Sequence, residues 1–385
     1  MYSIEEYGQM IADPIRMGAY VKAIEKAVRP GSTVLDLGTG TGMLALLSCQ
    51  SGARKVYAVE TNDAIALAQR IADANGFTDR IEFIQGQSTK IDLPEKVDLI
   101  VSDMHGTLPL YGSNSVSIVD ARQRMLAPGG TLVPQRETLW AAVAEAGRAY
   151  DELVAPWEGS KFGLAMDAAR QAVTNSSIKV TLTRDQLFGE PQCWGMIDYA
   201  TIESPSHRAD VSFQIARPGI AHGLVLWFDS LLADGIGFSN APGEPETVYR
   251  SSFLPWNAPT TLDAGDVVSV RLRADFSNAG YVWSWESKIR YGNSERIKAH
   301  FHQSTFLGTP LSATRLSRRS GSFRPELGSN GQVDAWILGA MNGATPLEEI
   351  AGAAMVRFPL HFRSLGEALS HVADLSDSYS ADSGR

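Results

Sequence analysis

Cysteine is scarce in this chain. Cys49 and Cys193 are the only two in 385 residues, and neither sits in a Cys-x-x-Cys or Cys/His cluster, so a disulfide framework and a thiolate zinc site are both excluded. Both are expected to be ordinary buried thiols, and no metal is expected. Long apolar runs are missing too: no stretch approaches the roughly eighteen residues a membrane span requires. Basic charge is in deficit, with 34 Lys and Arg against 43 Asp and Glu and a net charge of -9. Broad nucleic-acid binding relies on clustered cations to neutralise phosphates, so neither nucleic acid nor a membrane is expected as a partner, and a basic or small neutral substrate fits better. The first residues carry Glu5 and Glu6 and no basic stretch leading into an apolar core, so no secretory signal is read and the cytoplasm is the default location.

A hydrophobic fraction of 44% and a charged fraction of 20% are near globular averages, and the length exceeds what one core usually organises. Residues 1–135 alternate short β-branched runs (34–37, 55–59, 80–84, 97–101) with helical segments, the pattern of a parallel sheet with crossover helices. The helix over 63–74 ends before Asn75 and Gly76, a C-capping pair. After Ala-Pro-Gly-Gly at 127–130, expected as a turn before a strand at 131–133, the texture becomes β-rich, with strands at 178–182, 223–228 and 267–272. The expected fold is therefore α/β: a Rossmann-like domain over 1–135, a mainly β domain over 136–310 interrupted by a partly helical insertion near 144–173, and a mainly helical extension over 311–385. In that extension, helices are expected at 334–341 and 346–355, the second with Thr345 as N-cap and Pro346 at its first position, and the last ten residues are expected to fray.

Residues 34–42 read Val-Leu-Asp-Leu-Gly-Thr-Gly-Thr-Gly, with glycines at 38, 40 and 42 where an apolar strand turns into a helix. Glycine lets the backbone approach a ligand without an intervening side chain. The spacing is G-x-G-x-G and not the G-x-G-x-x-G of nicotinamide enzymes, which favours S-adenosylmethionine over NAD. Glu60 closes the second strand, where an acid can accept the ribose hydroxyls; the alternative is that it caps the next helix.

Beyond this loop the sequence resembles the protein arginine methyltransferase family over residues 5–305. Tyr7, Met10, Ile11, Asp13, Arg16 and Tyr20 look like the family's N-terminal helix, which folds over the cofactor. The resemblance implies that Arg16 pairs with the methionine carboxylate of S-adenosylmethionine, that Asp36, Gly38 and Gly40 line the cofactor, that Glu60 holds the ribose, and that Ser88 and Thr89 lie near the adenine. A surface ion pair with Asp13 is the alternative for Arg16. His-Gly-Leu-Val-Leu-Trp-Phe-Asp at 222–229 and Asn-Ala-Pro-Gly-Glu-Pro-Glu-Thr at 240–247 look like the family's β-barrel, so the mainly β domain is expected to be that barrel, and 155–174, within the insertion, like the arm through which members form homodimers.

The acceptor side departs from the family. A loop after the fourth strand carries two glutamates there; here it reads Ser-Asp-Met-His-Gly-Thr-Leu-Pro-Leu-Tyr-Gly over 102–112, so the first acid is shortened to Asp103 and the second is Gly112. Two carboxylates match a guanidinium in shape and charge, and losing one forfeits a fork of charge-assisted hydrogen bonds. The family's Thr-His-Trp loop has become Thr247-Val248-Tyr249. Asp103 is the candidate anchor for the nucleophile. His105 is a candidate general base, because its ordinary pKa lies near working pH, or a structural residue packed on Tyr111. Tyr7, Met10 and Tyr249 are candidate substrate contacts.

Residues 342–375 are weakly similar to small winged-helix modules that bind leader peptides; a plain helical appendage is the simpler alternative. Three functions remain open, in this order: methyl transfer to N or O of a small molecule, amino acid or peptide, as in natural-product biosynthesis; protein or free arginine N-methylation; and cofactor binding without catalysis.

Overall fold

A computed structural model of the chain describes residues 2–277 and 280–380. The chain divides into two compact units, Met1–Pro310 and Leu311–Arg385.

The first unit opens with two helices, α1 (Ile4–Ala12) and α2 (Pro14–Ala27). Ser3 and Glu6 form a reciprocal capping box on α1. Pro14 disfavours a helical conformation at Asp13, so the chain breaks there, and the Asp13 carboxylate caps α2 by accepting the amides of Ile15 and Arg16 at 3.1 Å. The parallel sheet contains β1 (Thr33–Leu37), β2 (Lys55–Glu60), β3 (Ile81–Gln85), β4 (Val97–Ser102) and β5 (Leu126–Val133), in the order β3-β2-β1-β4-β5. Helices α3 (Met43–Gln50), α4 (Ala64–Ala74) and α5 (Asn114–Arg124) cross between strands. All five residues of β1 are buried, as expected for a strand covered on both faces. The order reverses between β1 and β4, so the loops leaving their carboxyl ends open a crevice there, the usual ligand position in such sheets. β5 begins five residues earlier than expected: the Ala-Pro-Gly-Gly segment lies within the strand, its kink absorbed by Gly129 at φ 77°.

After β6 (Arg136–Ala144) comes the helical insertion, with α6 (Gly147–Val154), a short hairpin of β7 (Ser160–Lys161) and β8 (Leu164–Ala165), and α7 (Asp167–Val173). Then follow β9 (Ile178–Val180), β10 (Gln192–Asp198), β11 (His207–Gln214), β12 (Gly219–Ala233), β13 (Ile236–Ser239), β14 (Ser251–Leu262), β15 (Val267–Ser277), β16 (Gly280–Arg290), β17 (Ile297–Ser304) and α8 (Thr305–Gly308). They form two antiparallel sheets, β10-β6-β12-β14-β9 with β13 on β12, and β11-β15-β16-β17, which enclose the barrel core. Alternation puts Trp283, Trp285, Ser287 and Ile289 of β16 inside, and Trp256 donates its indole N–H to Ser287 Oγ at 3.0 Å. The same alternation corrects one expectation. Cys49 is buried, with desolvation pushing its thiol up to about 11, but Cys193 is exposed, because its neighbour Trp194 takes the inward position on β10.

The second unit contains α9 (Ala313–Arg318), α10 (Ser329–Ala340), α11 (Leu347–Arg357) and α12 (Leu365–Tyr379). Val333, Ile337, Ile350, Ala351, Ala354, Phe362, Ala368 and Val372 form its core. No strand occurs among its described residues, so the hairpin that defines a winged helix is missing and the helical alternative holds. The cap of α11 is Pro346 and not Thr345: Asn342 accepts the amides of Ala344 and Thr345 at 2.9 Å and donates to the Thr345 hydroxyl at 3.0 Å, which draws that hydroxyl into the preceding turn. α12 continues to Tyr379, further than expected for a frayed end; residues 381–385 lie outside the described residues.

Candidate active site

A cavity of about 700 Å³ opens at the crevice between β1 and β4. Arg16, Gly38, Gly40, Glu60, Ser88, Thr89, Asp103, His105, Tyr7, Met10 and Tyr249 all line it. Asp36 does not: its carboxylate is buried behind the glycine loop, accepting the Thr39 hydroxyl at 2.5 Å and the Ala45 amide at 2.8 Å. It braces the loop from below, and burial raises its carboxyl to about 7.

One side of the cavity is built from the backbone. Gly38 and Gly40 take φ of 78° and 54°, a region that penalises a side chain. A Cβ on Gly40 would also come within 2.5 Å of the Tyr7 ring, so α1 covers the loop only because glycine is there. Glu60 spans the loop and the turn after β2: one oxygen accepts the Gly40 amide at 2.8 Å, the other the amides of Thr61 and Asn62 at 2.8 and 2.9 Å. It belongs to the cavity wall and does not cap α4. Ser88 is buried, and its carbonyl accepts from Arg124 at 2.8 Å.

The other side is a network of side chains. Arg16 is buried and pairs with Asp103, while also donating to the Met10 carbonyl. The expected alternative, a surface bridge to Asp13, is ruled out, since Asp13 spends one oxygen on the α2 cap and the other on the Val248 amide at 2.8 Å. That last bond ties the Thr-Val-Tyr loop to the N-terminal helices through the backbone, independently of the side chain at 248. Tyr20 donates to the Ser102 carbonyl at 2.7 Å, fixing α2 over the end of β4. The Tyr249 phenol donates to Asp103 Oδ1.

His105 is 2% exposed, with Nδ1 3.0 Å from Asp103 Oδ1 and Nε2 2.6 Å from Glu137 Oε1. A general base needs a lone pair turned toward the substrate. Both nitrogens are already engaged with carboxylates, so the expectation of His105 as base is corrected. Its ring stacks on Phe228, with centroids 5.2 Å apart and planes 3° apart, and not on Tyr111. No local motif points to Glu137, which lies in the next domain, although the alternation Glu137, Leu139, Ala141, Val143 marks it as an acid on the buried face of β6. Among the described residues lining the cavity, Glu60 and Asp103 are the carboxylates. Gly112 has φ 52°, a conformation in which a glutamate side chain would be strained.

Two family models match. Residues 19–132 fit ribosomal protein L11 methyltransferase, and residues 135–291 fit the arginine methyltransferase oligomerization subdomain. Protein arginine N-methyltransferase 1 of Dictyostelium discoideum is 26% identical over 305 residues, covering 74% of this chain and 89% of that protein. Protein arginine N-methyltransferase 6 of Danio rerio is 33% identical over 260 residues, covering 64% of this chain and 74% of that protein. The chain belongs to the protein arginine methyltransferase family. It is thereby a class I S-adenosylmethionine-dependent methyltransferase. The crystal structure of Arabidopsis thaliana protein arginine methyltransferase 10 has a TM-score of 0.69 at 25% identity, covering 79% of this chain and 98% of that one. The Trypanosoma brucei PRMT1 enzyme-prozyme complex gives 0.71 at 23%, covering 77% and 96%, and shares the fold. These relatives give no support to the small-molecule acceptor placed first from the sequence and favour the arginine alternative.

Proposed function

We propose that this protein transfers a methyl group from S-adenosylmethionine to a guanidino nitrogen of arginine, free or in a polypeptide. The observation that carries this is the placement of Asp103: its carboxylate lines the same cavity as the glycine loop and Glu60 and is held there by Arg16, His105 and Tyr249.

The cavity fits the cofactor. Gly38 and Gly40 leave room for it, Glu60 would take the ribose, Ser88 and Thr89 the adenine, and Arg16 the carboxylate; the Arg16 Nε is buried without a partner, a donor still to be used. Solved family structures that hold the demethylated product, the T. brucei complex with AdoHcy and PRMT6 with SAH, support the same assignment. When bound, the cofactor supplies an electrophilic methyl group on a sulfonium, and the protein's task is alignment and proton handling. Tyr7 and Met10 on α1 cover the cavity, Tyr249 narrows it, and Asp103 accepts an N–H of the acceptor, which turns the attacking nitrogen inward. The labour divides along the chain: 1–135 binds the cofactor and carries the acceptor's anchor Asp103, 136–310 adds Tyr249 to the cavity wall, and 150–175 makes a homodimer, a role supported by the oligomerization-subdomain match and by Leu164, exposed on the hairpin.

A second acceptor class is favoured by a specific observation. With glycine at 112 and valine at 248, a less basic nitrogen or an oxygen would need no second carboxylate. Incubation with labelled methyl donor and a panel of arginyl peptides, free arginine, small amines and alcohols separates the two. Label on arginine is the expected result; label confined to amines or alcohols overturns it, and binding of the donor with no transfer to any acceptor would support a non-catalytic protein.

A further inference from the structure

Glu137 is fully buried on β6. Its Oε1 contacts His105 Nε2 and accepts the Ser230 hydroxyl at 3.1 Å, while Oε2 is buried without a partner. A carboxylate in such a place is costly unless a proton or a cation accompanies it. The partner able to supply either is the His105 ring, 2.6 Å away. Burial pushes the Glu137 carboxyl up and His105 pulls it down, so the two groups compete for one proton.

With Asp103 ionised beside Arg16, two arrangements satisfy the contacts on both ring nitrogens. Either the imidazolium carries a proton on each nitrogen, or Nδ1 keeps its proton and Glu137 holds the other. Both leave an Nδ1–H donating to Asp103 Oδ1. Without a carboxylate on Nε2, the ring keeps only its bond to Asp103 and loses the second tether that fixes its orientation. Asp103 then receives three donors: Arg16 on Oδ2, and Tyr249 and His105 on Oδ1. Each carboxylate oxygen has two lone-pair sites, so Oδ1 is filled and Oδ2 keeps one free.

We propose that Glu137 is a positioning residue for methyl transfer: by tethering His105 at Nε2 it holds the Nδ1–H on Asp103, fixes that carboxylate, and leaves one Oδ2 lone pair to orient the acceptor N–H. This rests on the assignment of Asp103 as the acceptor's anchor. The groups in contact with the ring are Asp103 from its own loop, Glu137 from β6 and Tyr249, with Phe228 and Phe238 as apolar walls; Arg16 from α2 pairs with Asp103, and Tyr20, Tyr199 and Asp229 act on Glu137.

The test is nitrogen NMR of the histidine-labelled full chain, with His105→Gln identifying the signal, alongside turnover and donor-binding measurements. The wild-type spectrum is expected to show Nδ1 carrying a proton and Nε2 hydrogen-bonded to a carboxylate. Glu137→Gln is expected to lose that signature and about a hundredfold in kcat on an arginyl acceptor, the cost of a misplaced anchor, with donor affinity unchanged; Glu137→Asp should restore part of it. His105→Gln combined with Glu137→Gln should cost no more than His105→Gln alone. A wild-type spectrum in which Nε2 carries no hydrogen bond overturns the proposal without any variant, as does Glu137→Gln with wild-type kcat and an unchanged spectrum. If the wild type methylates no arginine acceptor, the proposed acceptor fails, while the histidine spectrum still decides the network.

Discussion

The two halves of this cavity are built on different scales. The cofactor half comes from neighbouring pieces of one βαβ unit: a glycine loop braced by Asp36, and Glu60 holding that loop through the Gly40 amide. The acceptor half is assembled from distant segments, with Tyr249 reaching Asp103 across 146 positions and Glu137 reaching His105 across 32. A local backbone device tolerates little change, because every part depends on the turn that β1 makes into α3. A network of side chains drawn from several segments can be rewired while the sheets that carry it stay in place.

Three substitutions sharpen that contrast. The largest expected effect is on the acceptor half: Asp103→Asn should lower kcat by about a hundredfold or more through loss of the charged anchor, with donor affinity nearly intact. Survival of activity would remove Asp103 from its role. Glu60→Ala should act on the other half, weakening S-adenosylmethionine binding by about 1 to 3 kcal/mol through lost charge-assisted hydrogen bonds; unchanged affinity by calorimetry would break the ribose assignment. The smallest concerns the brace. Burial lifts the Asp36 carboxyl from its ordinary 3.8 to about 7, partly offset by hydrogen bonds from Thr39 and Ala45, so the folded protein retains a proton that the unfolded chain has already released. Its contribution to stability is therefore full below about pH 4 and is lost as pH rises toward about 7. Thermal melts of Asp36→Asn should show the wild type losing ground to the variant across that window and holding level above it. Parallel melting curves would mean that Asp36 ionises freely.

The same difference of scale governs how much could be read from the chain. The strand-turn-helix around Gly38, Glu60 at the end of β2, and the helix ending at Asn75 are local patterns, so the parallel sheet and the cofactor half were legible. Asp103 was found because it follows a strand at a recognisable loop. His105 was noticed, but its role was not legible, since that depends on Glu137 contacting it from another sheet. Cys193 was misplaced because its orientation is set by Trp194 beside it, and Thr345 because Asn342 had already drawn its hydroxyl into a turn. Where a side chain's partner is set by tertiary packing, sequence spacing carries no record of it.

Calorimetric titration of the purified protein with S-adenosylmethionine and S-adenosylhomocysteine, with NAD as control, tests the foundation of this account most directly. Micromolar binding of the two methyl-cycle ligands and none of NAD is expected from the loop at Gly38 to Gly42 and from Glu60. Absence of binding by either methyl-cycle ligand would contradict it, because the acceptor half has no chemistry to perform without a methyl donor beside it.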